Sequence, residues 1–121
     1  MLHQAVISLG SNTADKELKL RQAIEMLGVK IVQSSGAYDD PVDNNPGHPY
    51  LNLIARIETE LDHDALRVHF KELEGRLGRD RRSDTVAIDI DIVIFDGTVM
   101  RPTDFARPYF QTGYKLLRNN K

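Results

Sequence analysis

The sequence predicts an α+β domain with the ferredoxin-like order β-α-β-β-α-β, in which two helices cover one face of an antiparallel sheet. Runs of alternating apolar residues, rich in β-branched side chains, occur at residues 4–9, 29–38, 51–59 and 86–95. A segment whose apolar residues have helical spacing lies between the first and second of these runs, and another lies between the third and fourth. The 121 residues with 40% hydrophobic content suffice for a single domain over residues 1–121 with its own core.

The first half of the chain contains two predicted strands and one helix. The first strand covers residues 4–9, and a helix over about residues 15–27 ends where Gly28 suits a C-terminal cap. The second strand covers residues 29–38. A polar loop with three prolines follows at residues 39–49, and the prolines restrict its conformations.

The second half begins with a third strand over residues 51–59, in which alternate apolar residues share one face. A second helix opens at Asp62 or Asp64 and ends at Gly78, with a buried apolar stripe between them. The fourth strand covers residues 86–95. Residues 98–117 are predicted to add a short edge strand and an irregular tail.

Two acidic residues, Asp89 and Asp91, interrupt the otherwise apolar fourth strand. Side chains alternate along a strand, so the aspartates share a face, roughly 6.6–6.8 Å apart at the backbone. Their expected neighbours on this face are Ala87, Val93 and Phe95, and the opposite face carries Val86, Ile88, Ile90, Ile92 and Ile94.

Two like charges at about that separation repel by roughly 2.5 kcal/mol at an effective dielectric constant of about 20. A divalent cation removes this repulsion, and Mg²⁺ typically takes one or two carboxylates together with substrate phosphates. The alternative is a half-exposed strand whose aspartates have no function or are held by nearby arginines.

A basic segment precedes this strand, with arginines at positions 76, 79, 81 and 82. Arginine offers planar donors that match phosphate oxygens, although basic residues are also common at solvated helix ends. Beside an Asp-x-Asp strand, the combination indicates a metal-held polyphosphate whose charge the arginines neutralise.

The loop before the third strand offers groups for a flat ligand. Tyr50 can stack on a ring, and Asn52 has both a donor and an acceptor for a lactam or amidine edge. The alternative is an ordinary hairpin loop with a surface tyrosine. Glu74 is a further site candidate, or else an exposed helix glutamate paired with Lys71 or Arg81.

Composition excludes several classes of function. A net charge of −2 provides no basic field for nucleic acid or anionic membrane, and the strands lack the clustered aromatics of an RNA-binding sheet. The absence of cysteine excludes disulfides and thiolate chemistry, and no P-loop lysine motif occurs. We expect a cytoplasmic protein, because neither a secretory signal nor a membrane-length apolar run is present. The sequence does not identify a protein partner.

Six short motifs, taken in order, resemble the 6-hydroxymethyl-7,8-dihydropterin pyrophosphokinase family of folate synthesis over about residues 5–110. They are Ser8-Leu-Gly-Ser-Asn12, Tyr38-x-x-Pro41, Tyr50-Leu-Asn52, Glu58-Thr59, Glu74-x-x-x-Gly78-Arg-x-Arg81 and Ile88-Asp-Ile-Asp91. The resemblance implies a ferredoxin-like fold and the transfer of pyrophosphate from ATP to a pterin hydroxymethyl group. It also implies Mg²⁺ as cofactor, with two ions.

Position by position, the resemblance assigns roles to individual residues. Asp89 and Asp91 would hold the metal and, with Arg79, form the catalytic set. The ATP-binding residues would be Glu74, Arg79, Arg81, Ile92, Tyr109 and Phe110. The pterin-binding residues would be Asp40, Pro41, Asp43, Tyr50 and Asn52.

Two departures from the family pattern concern the phosphates. Asp84-Thr-Val86 stands where the family has Gly-Pro-Arg, and Pro108-Tyr-Phe110 stands where it has Pro-His-aromatic. The candidates to replace the lost phosphate-binding groups are Arg81, Arg82, Arg101 and Arg107. Two hypotheses follow, namely an ATP-dependent pterin pyrophosphokinase and a catalytically impaired homologue that binds nucleotide or pterin without efficient turnover.

Overall fold

The computed structural model describes residues 1–41, 47–80 and 82–119. Within these residues the chain forms six strands and four helices, in the order β1 His3–Ser11, α1 Lys16–Glu25, β2 Lys30–Ser34, β3 Tyr38–Asp39, β4 Leu51–Thr59, α2 His63–Arg76, β5 Asp89–Phe95, β6 Thr98–Val99, α3 Pro102–Phe105 and α4 Pro108–Asn119.

The strands form one sheet in the order β2-β4-β1-β5-β6, and the short β3 also pairs with β4. Among the described residues every strand pairing is antiparallel. Strands β1 and β2 therefore run parallel to each other, with β4 between them and α1 as the crossover. This is the split β-α-β arrangement of a ferredoxin-like sheet, so the predicted fold class is confirmed.

Helices α1 and α2 bury their apolar stripes against one face of the sheet, as predicted. From α1 and the residues just after it this core takes Leu20, Ala23 and Leu27, and from α2 and its C-terminal cap it takes Leu66, Phe70, Leu73 and Leu77. The two helices begin and end close to the predicted positions. Asp62 caps α2, because its Oδ1 accepts a hydrogen bond from the Ala65 amide at 2.8 Å.

The opposite face of the sheet is covered by α4, where an irregular tail was predicted. Phe110 and Leu117 of α4 are buried against Val6, Ile54 and Val93. The prediction was wrong because a sheet that exposes apolar residues on both faces needs a second covering layer. No helix in the part of the chain that the structure describes is both long and apolar enough to cross a membrane.

A β-bulge changes the predicted alternation near the end of β5. Val6 pairs with Ile94 and Ile7 pairs with Ile92, so Val93 is an extra residue in the ladder. Beyond the bulge the faces exchange: Ile94 joins the cluster under α4, and Phe95 packs with the core under α1 and α2. The predicted faces are therefore wrong for these two residues, whereas Asp89, Asp91 and Val93 keep one face.

Two strand boundaries also differ from prediction. The predicted strand over residues 29–38 is interrupted, because Gly36 adopts a φ of +73° between β2 and β3. Strand β5 begins at Asp89 and not at Val86.

The packing of α4 predicts a specific cost at Gly113. A Cβ atom at this position would collide with Ile54 Cγ1 and the Tyr38 hydroxyl. We expect Gly113→Ala to lower the free energy of unfolding by about 1–3 kcal/mol, as overpacking does. Urea unfolding measures this change.

Gly75 provides the matched control, because it also lies in a helix and a Cβ there meets nothing within 4 Å. Gly75→Ala should raise stability by about 0.5–1 kcal/mol through helix propensity alone. Equal effects of the two substitutions would contradict the proposed contact between α4 and the sheet.

Candidate active site

A cleft of about 590 Å³ opens on the sheet face that carries α4. Its floor is formed by the facing parts of three strands, β1, β4 and β5. Its walls come from Asp39, Asp40, Pro49 and Tyr50 and from the chain between β6 and α4. The lining residues are Ser8, Leu9, Gly10, Asp39, Asp40, Pro49, Tyr50, Asn52, Asp89, Asp91, Arg101, Asp104, Arg107 and Tyr109.

The two aspartates of β5 lie next to each other in this cleft. The strand register places Asp89 opposite Gly10 and Asp91 opposite Ser8. Burial, and then the neighbouring Asp89 charge, raise the pKa of Asp91 from 3.8 to about 7. At neutral pH and without a cation, the Asp91 carboxyl is therefore only partly ionised.

Each aspartate also has an arginine beside it. Arg79 Nη1 donates to Asp89 Oδ1 at 3.2 Å, and Arg101 Nη1 lies 3.7 Å from Asp91 Oδ1. Arginines near the aspartates were the alternative to a metal site. The pKa of Asp91 nevertheless stays raised, so Arg101 does not fully compensate its charge.

The donor chemistry of the pair suits a hard divalent cation. Two adjacent carboxylates offer oxygen ligands of the kind that Mg²⁺ takes, together with substrate phosphates and water. Within residues 1–41, 47–80 and 82–119, no three or more histidine, cysteine or acidic side chains are grouped to hold a metal ion. A cation at this pair would therefore take its further ligands from a substrate or from water.

Glu74 fixes the edge of β5 from the helical side of the sheet. Its side chain is fully buried, and Oε2 accepts from the Ile90 amide at 2.8 Å, between the two aspartates. Oε1 accepts from Lys71 Nζ at 3.3 Å. The carboxylate thus satisfies a strand amide that β6 does not reach. Glu74 does not line the cleft, and its predicted nucleotide contact stays a prediction.

Asn12 holds the two sides of the cleft to the end of β1. Its side-chain Oδ1 accepts from the Val86 amide at 2.5 Å, and its backbone amide donates to the Val86 carbonyl at 3.0 Å. Its Nδ2 donates to the His48 carbonyl at 3.3 Å. One buried side chain therefore positions the segments that lead into β5 and β4.

Asn52 presents an unused donor at one end of the cleft. Its side chain is only 4% exposed, and its Nδ2 has no hydrogen-bond partner. A buried donor without a partner costs about 1–3 kcal/mol, which a ligand acceptor can remove. Gly10 leaves room here, since a Cβ would lie 3.0 Å from Asn52 Oδ1 and 3.4 Å from Tyr50 Cδ1.

The structure brings three of the other predicted site residues to the same cleft. Asp40 and Tyr109 line it together with Tyr50, and burial raises the pKa of the Tyr109 phenol. The Tyr109 hydroxyl donates to Asp104 Oδ1 at 3.3 Å. The predicted residues Asp43 and Arg81 lie outside the described residues.

Three further predicted residues lie elsewhere. Pro41 is exposed and does not line the cleft, and Phe110 is buried in the core under α4. Ile92 is buried and lines a second cavity of about 250 Å³, here called the side pocket. The side pocket is lined by His63, Arg67, Phe70, Lys71, Ile90, Asp91, Ile92, Met100 and Arg101.

Sequence reasoning missed Asp104, which lines the cleft and accepts from Arg101 Nε at 2.6 Å. The available signal was the spacing Arg101-x-x-Asp104 at a helix start, because residues three apart on a helix are neighbours. The contribution of Ser8 was also missed, since its position opposite Asp91 follows from strand pairing alone.

The fold and this acidic cleft define a class of protein, namely a ferredoxin-like α+β domain with a paired-carboxylate cleft. Residues 6–115 match the family model of 7,8-dihydro-6-hydroxymethylpterin-pyrophosphokinase. The chain belongs to this family.

Several curated relatives show the same similarity. A 2-amino-4-hydroxy-6-hydroxymethyldihydropteridine pyrophosphokinase of Bacillus subtilis is 35% identical over 99 residues, which cover 76% of this chain and 59% of the relative. The enzyme of that name from Methylorubrum extorquens is 31% identical, over 88% of this chain and 72% of the relative. The bifunctional protein FolKE of Lactococcus lactis is 30% identical, over 91% of this chain and 34% of the relative. The match to the first relative thus spans less than two thirds of its length.

The raised pKa of Asp91 predicts a pH dependence of stability in metal-free protein. Between pH 3.8 and about pH 7, the Asp91 carboxyl keeps its proton in the folded state, whereas it loses that proton in the unfolded state. The unfolded state then binds fewer protons, so this group makes the protein less stable as the pH rises through that window. The slope is at most about 1.4 kcal/mol per pH unit, the limit for one proton.

Asp91→Asn isolates this effect. Urea unfolding in a chelator, from about pH 4 to about pH 8, should show the variant gaining stability relative to the original chain as the pH rises. A difference that does not change with pH would show that Asp91 titrates normally.

Proposed function

We propose that this chain transfers pyrophosphate from ATP to the hydroxymethyl group of 6-hydroxymethyl-7,8-dihydropterin in folate biosynthesis, and that the reaction depends on Mg²⁺. One observation supports this most directly: a single cleft contains both the paired carboxylates of β5 and the unpartnered amide of Asn52. The first suits a metal-bound polyphosphate, and the second suits the polar edge of a flat heterocycle. In this proposal the sheet, the α1 and α2 layer and the α4 layer form one catalytic domain.

The pterin ring is proposed to lie at the Asn52 end of the cleft. A pterin carries a lactam carbonyl, and the free Nδ2 of Asn52 can donate to that oxygen. Tyr50, which is half-buried in the same wall, provides a face for stacking. Asp40 and the backbone beside it lie on the same side and offer acceptors for the amino group of the ring.

The phosphates of ATP are proposed to lie at the other end, beside Asp89 and Asp91. These two side chains would hold two Mg²⁺ ions, which when bound neutralise phosphate charge. Arg79, now hydrogen-bonded to Asp89 at 3.2 Å, is close enough to add a phosphate contact. The side pocket adjoins Asp91 and carries apolar Phe70 and Ile92, so we place the nucleoside there.

The proposed reaction is an attack of the pterin hydroxymethyl oxygen on the β-phosphorus of ATP. A bond forms between that oxygen and the β-phosphorus, and the bond to the oxygen bridging to the α-phosphate breaks. AMP leaves with the electron pair, and the hydroxyl proton passes to water. The chain's own residues orient the two substrates and compensate charge, which accounts for most of what such a transfer requires.

The test is an assay of AMP formation from ATP with the hydroxymethyl pterin, with and without Mg²⁺. Turnover that requires all three components supports the proposal. Folded protein that binds a non-hydrolysable ATP analogue or the pterin without turnover would instead support the catalytically impaired homologue. No binding of either substrate would exclude both.

Asp89→Asn should lower kcat by about 100-fold or more, because it removes a proposed metal ligand without changing side-chain size. Calorimetry should show that Mg²⁺ no longer strengthens binding of the ATP analogue. Asp96→Asn is the matched control, since Asp96 lies just after β5, is exposed and bonds to Gln4 and His3 away from the cleft. Unchanged Mg²⁺ dependence in Asp89→Asn would refute the metal assignment.

Asn52→Leu should weaken pterin binding by about 10- to 100-fold, because the ligand carbonyl loses its donor. Binding of the ATP analogue should stay within a factor of about two. In ligand-free protein the same substitution removes a buried donor that has no partner, so thermal stability should not fall. Pterin affinity equal to that of the original chain would show that Asn52 does not contact the ring.

A further inference from the structure

The main chain at Arg101 is fixed close to the aspartate pair. The amides of Met100 and Arg101 both donate to the Val93 carbonyl, at 2.7 Å and 3.4 Å. Phe105 then donates its amide to the Arg101 carbonyl at 2.9 Å, where α3 begins. The turn after β6 therefore holds Arg101 against Val93, which lies two residues along β5 from Asp91.

The side chain of Arg101 is oriented by a second set of bonds. Its Nε donates to Asp104 Oδ2 at 2.6 Å. The other oxygen of Asp104 accepts from the Tyr109 hydroxyl at 3.3 Å, so the carboxylate is held from two directions. With Nε engaged, the terminal nitrogens point toward Asp91, where Nη1 lies 3.7 Å from Oδ1.

Arg101 also lies where two substrates would meet. Among the described residues, Arg101 and Asp91 are the two that line both the cleft and the side pocket. A group passed from a ligand in one cavity to a ligand in the other has to cross this point. The Arg101 side chain is 48% exposed, so its terminal nitrogens are accessible to a ligand.

The other described arginines near the site are placed less well for this role. Arg82 is 93% exposed, donates to Asp80 Oδ1 at 3.3 Å and lines neither cavity. Arg79 contacts the other carboxylate, that of Asp89. Arg107 lines the cleft but not the side pocket, and Arg67 lines the side pocket but not the cleft.

We propose that Arg101 is the guanidinium that contacts the phosphoryl group being transferred, and that Asp104 is its positioning residue. This proposal rests on the pyrophosphokinase function proposed above. It assigns to one residue a role that the sequence left open among four arginines. With Asp91 holding a cation, the terminal nitrogens of Arg101 would be available to contact two oxygens of the β-phosphate.

The experiment compares Arg101→Ala, Arg101→Lys and Arg82→Ala, with thermal melts to verify that each variant folds. Arg101→Ala should lower kcat by about 100-fold and leave the KM for the pterin nearly unchanged, because the contact develops with the transferring charge. Arg101→Lys should recover only part of the loss, since an ammonium cannot make the bidentate contact. Arg82→Ala should stay within a factor of about two.

Asp104 is tested by a second pair of variants. Asp104→Ala should lower kcat about tenfold by releasing Nε, whereas Asp104→Asn keeps an acceptor for Nε and should recover most of the rate. A purely structural role would instead lower the melting temperature of both variants and leave kcat of the folded fraction unchanged. That result would overturn the positioning role.

Binding of a non-hydrolysable ATP analogue separates this proposal from the proposed function. If the original chain turns over and Arg101→Ala retains its rate, Arg101 is not the contact, and the pyrophosphokinase function stands. If the original chain binds the analogue without turnover, the proposed function fails. Arg101 is then judged by whether its alanine variant weakens that binding at least about tenfold more than Arg82→Ala does.

Discussion

The arrangement of the whole cleft depends on two carboxylates held side by side on one half-buried strand. Like charges at this spacing repel, and burial strengthens the effect, as the raised pKa of Asp91 shows. A flexible loop would relieve the repulsion by moving apart. Strand β5 cannot do so, because β1 pairs with it on one side and Glu74 bonds to the Ile90 amide on the other. The repulsion is therefore retained in the ligand-free protein.

The groups that hold the cleft together lie mostly outside it. Asn12 joins the end of β1 to the segments before β4 and β5, and Glu74 acts from the helical side of the sheet. Both side chains are buried and bond to backbone groups, and Glu74 Oε1 also accepts from Lys71 Nζ. Because these supporting bonds lie behind the cleft, the residues that face it, such as Asp91 and Asn52, remain available for ligands. A site supported in this way has its geometry set before a substrate arrives.

Two features of the cleft lower the stability of the ligand-free protein. Asn52 buries a donor without a partner, and the aspartate pair concentrates negative charge. Elsewhere in the described residues, buried polar side chains such as Asn12 and Glu74 have partners. Departures from good packing and pairing that cluster in one cavity are typical of functional sites. The aspartate pair and the Asn52 donor also differ in chemistry, so the parts of the cleft beside them suit different ligand groups.

Local pattern determined much of the fold. Alternation and helical spacing predicted β1, β4, α1 and α2, because the burial of each depends on which of its own residues are apolar. The same rule placed Asp89 and Asp91 on one face. It failed for Ile94 and Phe95, since a bulge at Val93 arises only when β5 pairs with β1.

Tertiary structure decided the contacts between segments that are distant along the chain. The apolar spacing of α4 was present in the sequence, but its role became clear only with the second apolar face of the sheet. By sequence alone Arg81, Arg82, Arg101 and Arg107 were equivalent candidates for a phosphate contact. The turn after β6 places Arg101 beside Asp91, because its amide bonds to Val93. Composition and hydrophobic periodicity determine which residues a segment can bury. How the segments pack determines which partner each polar side chain meets.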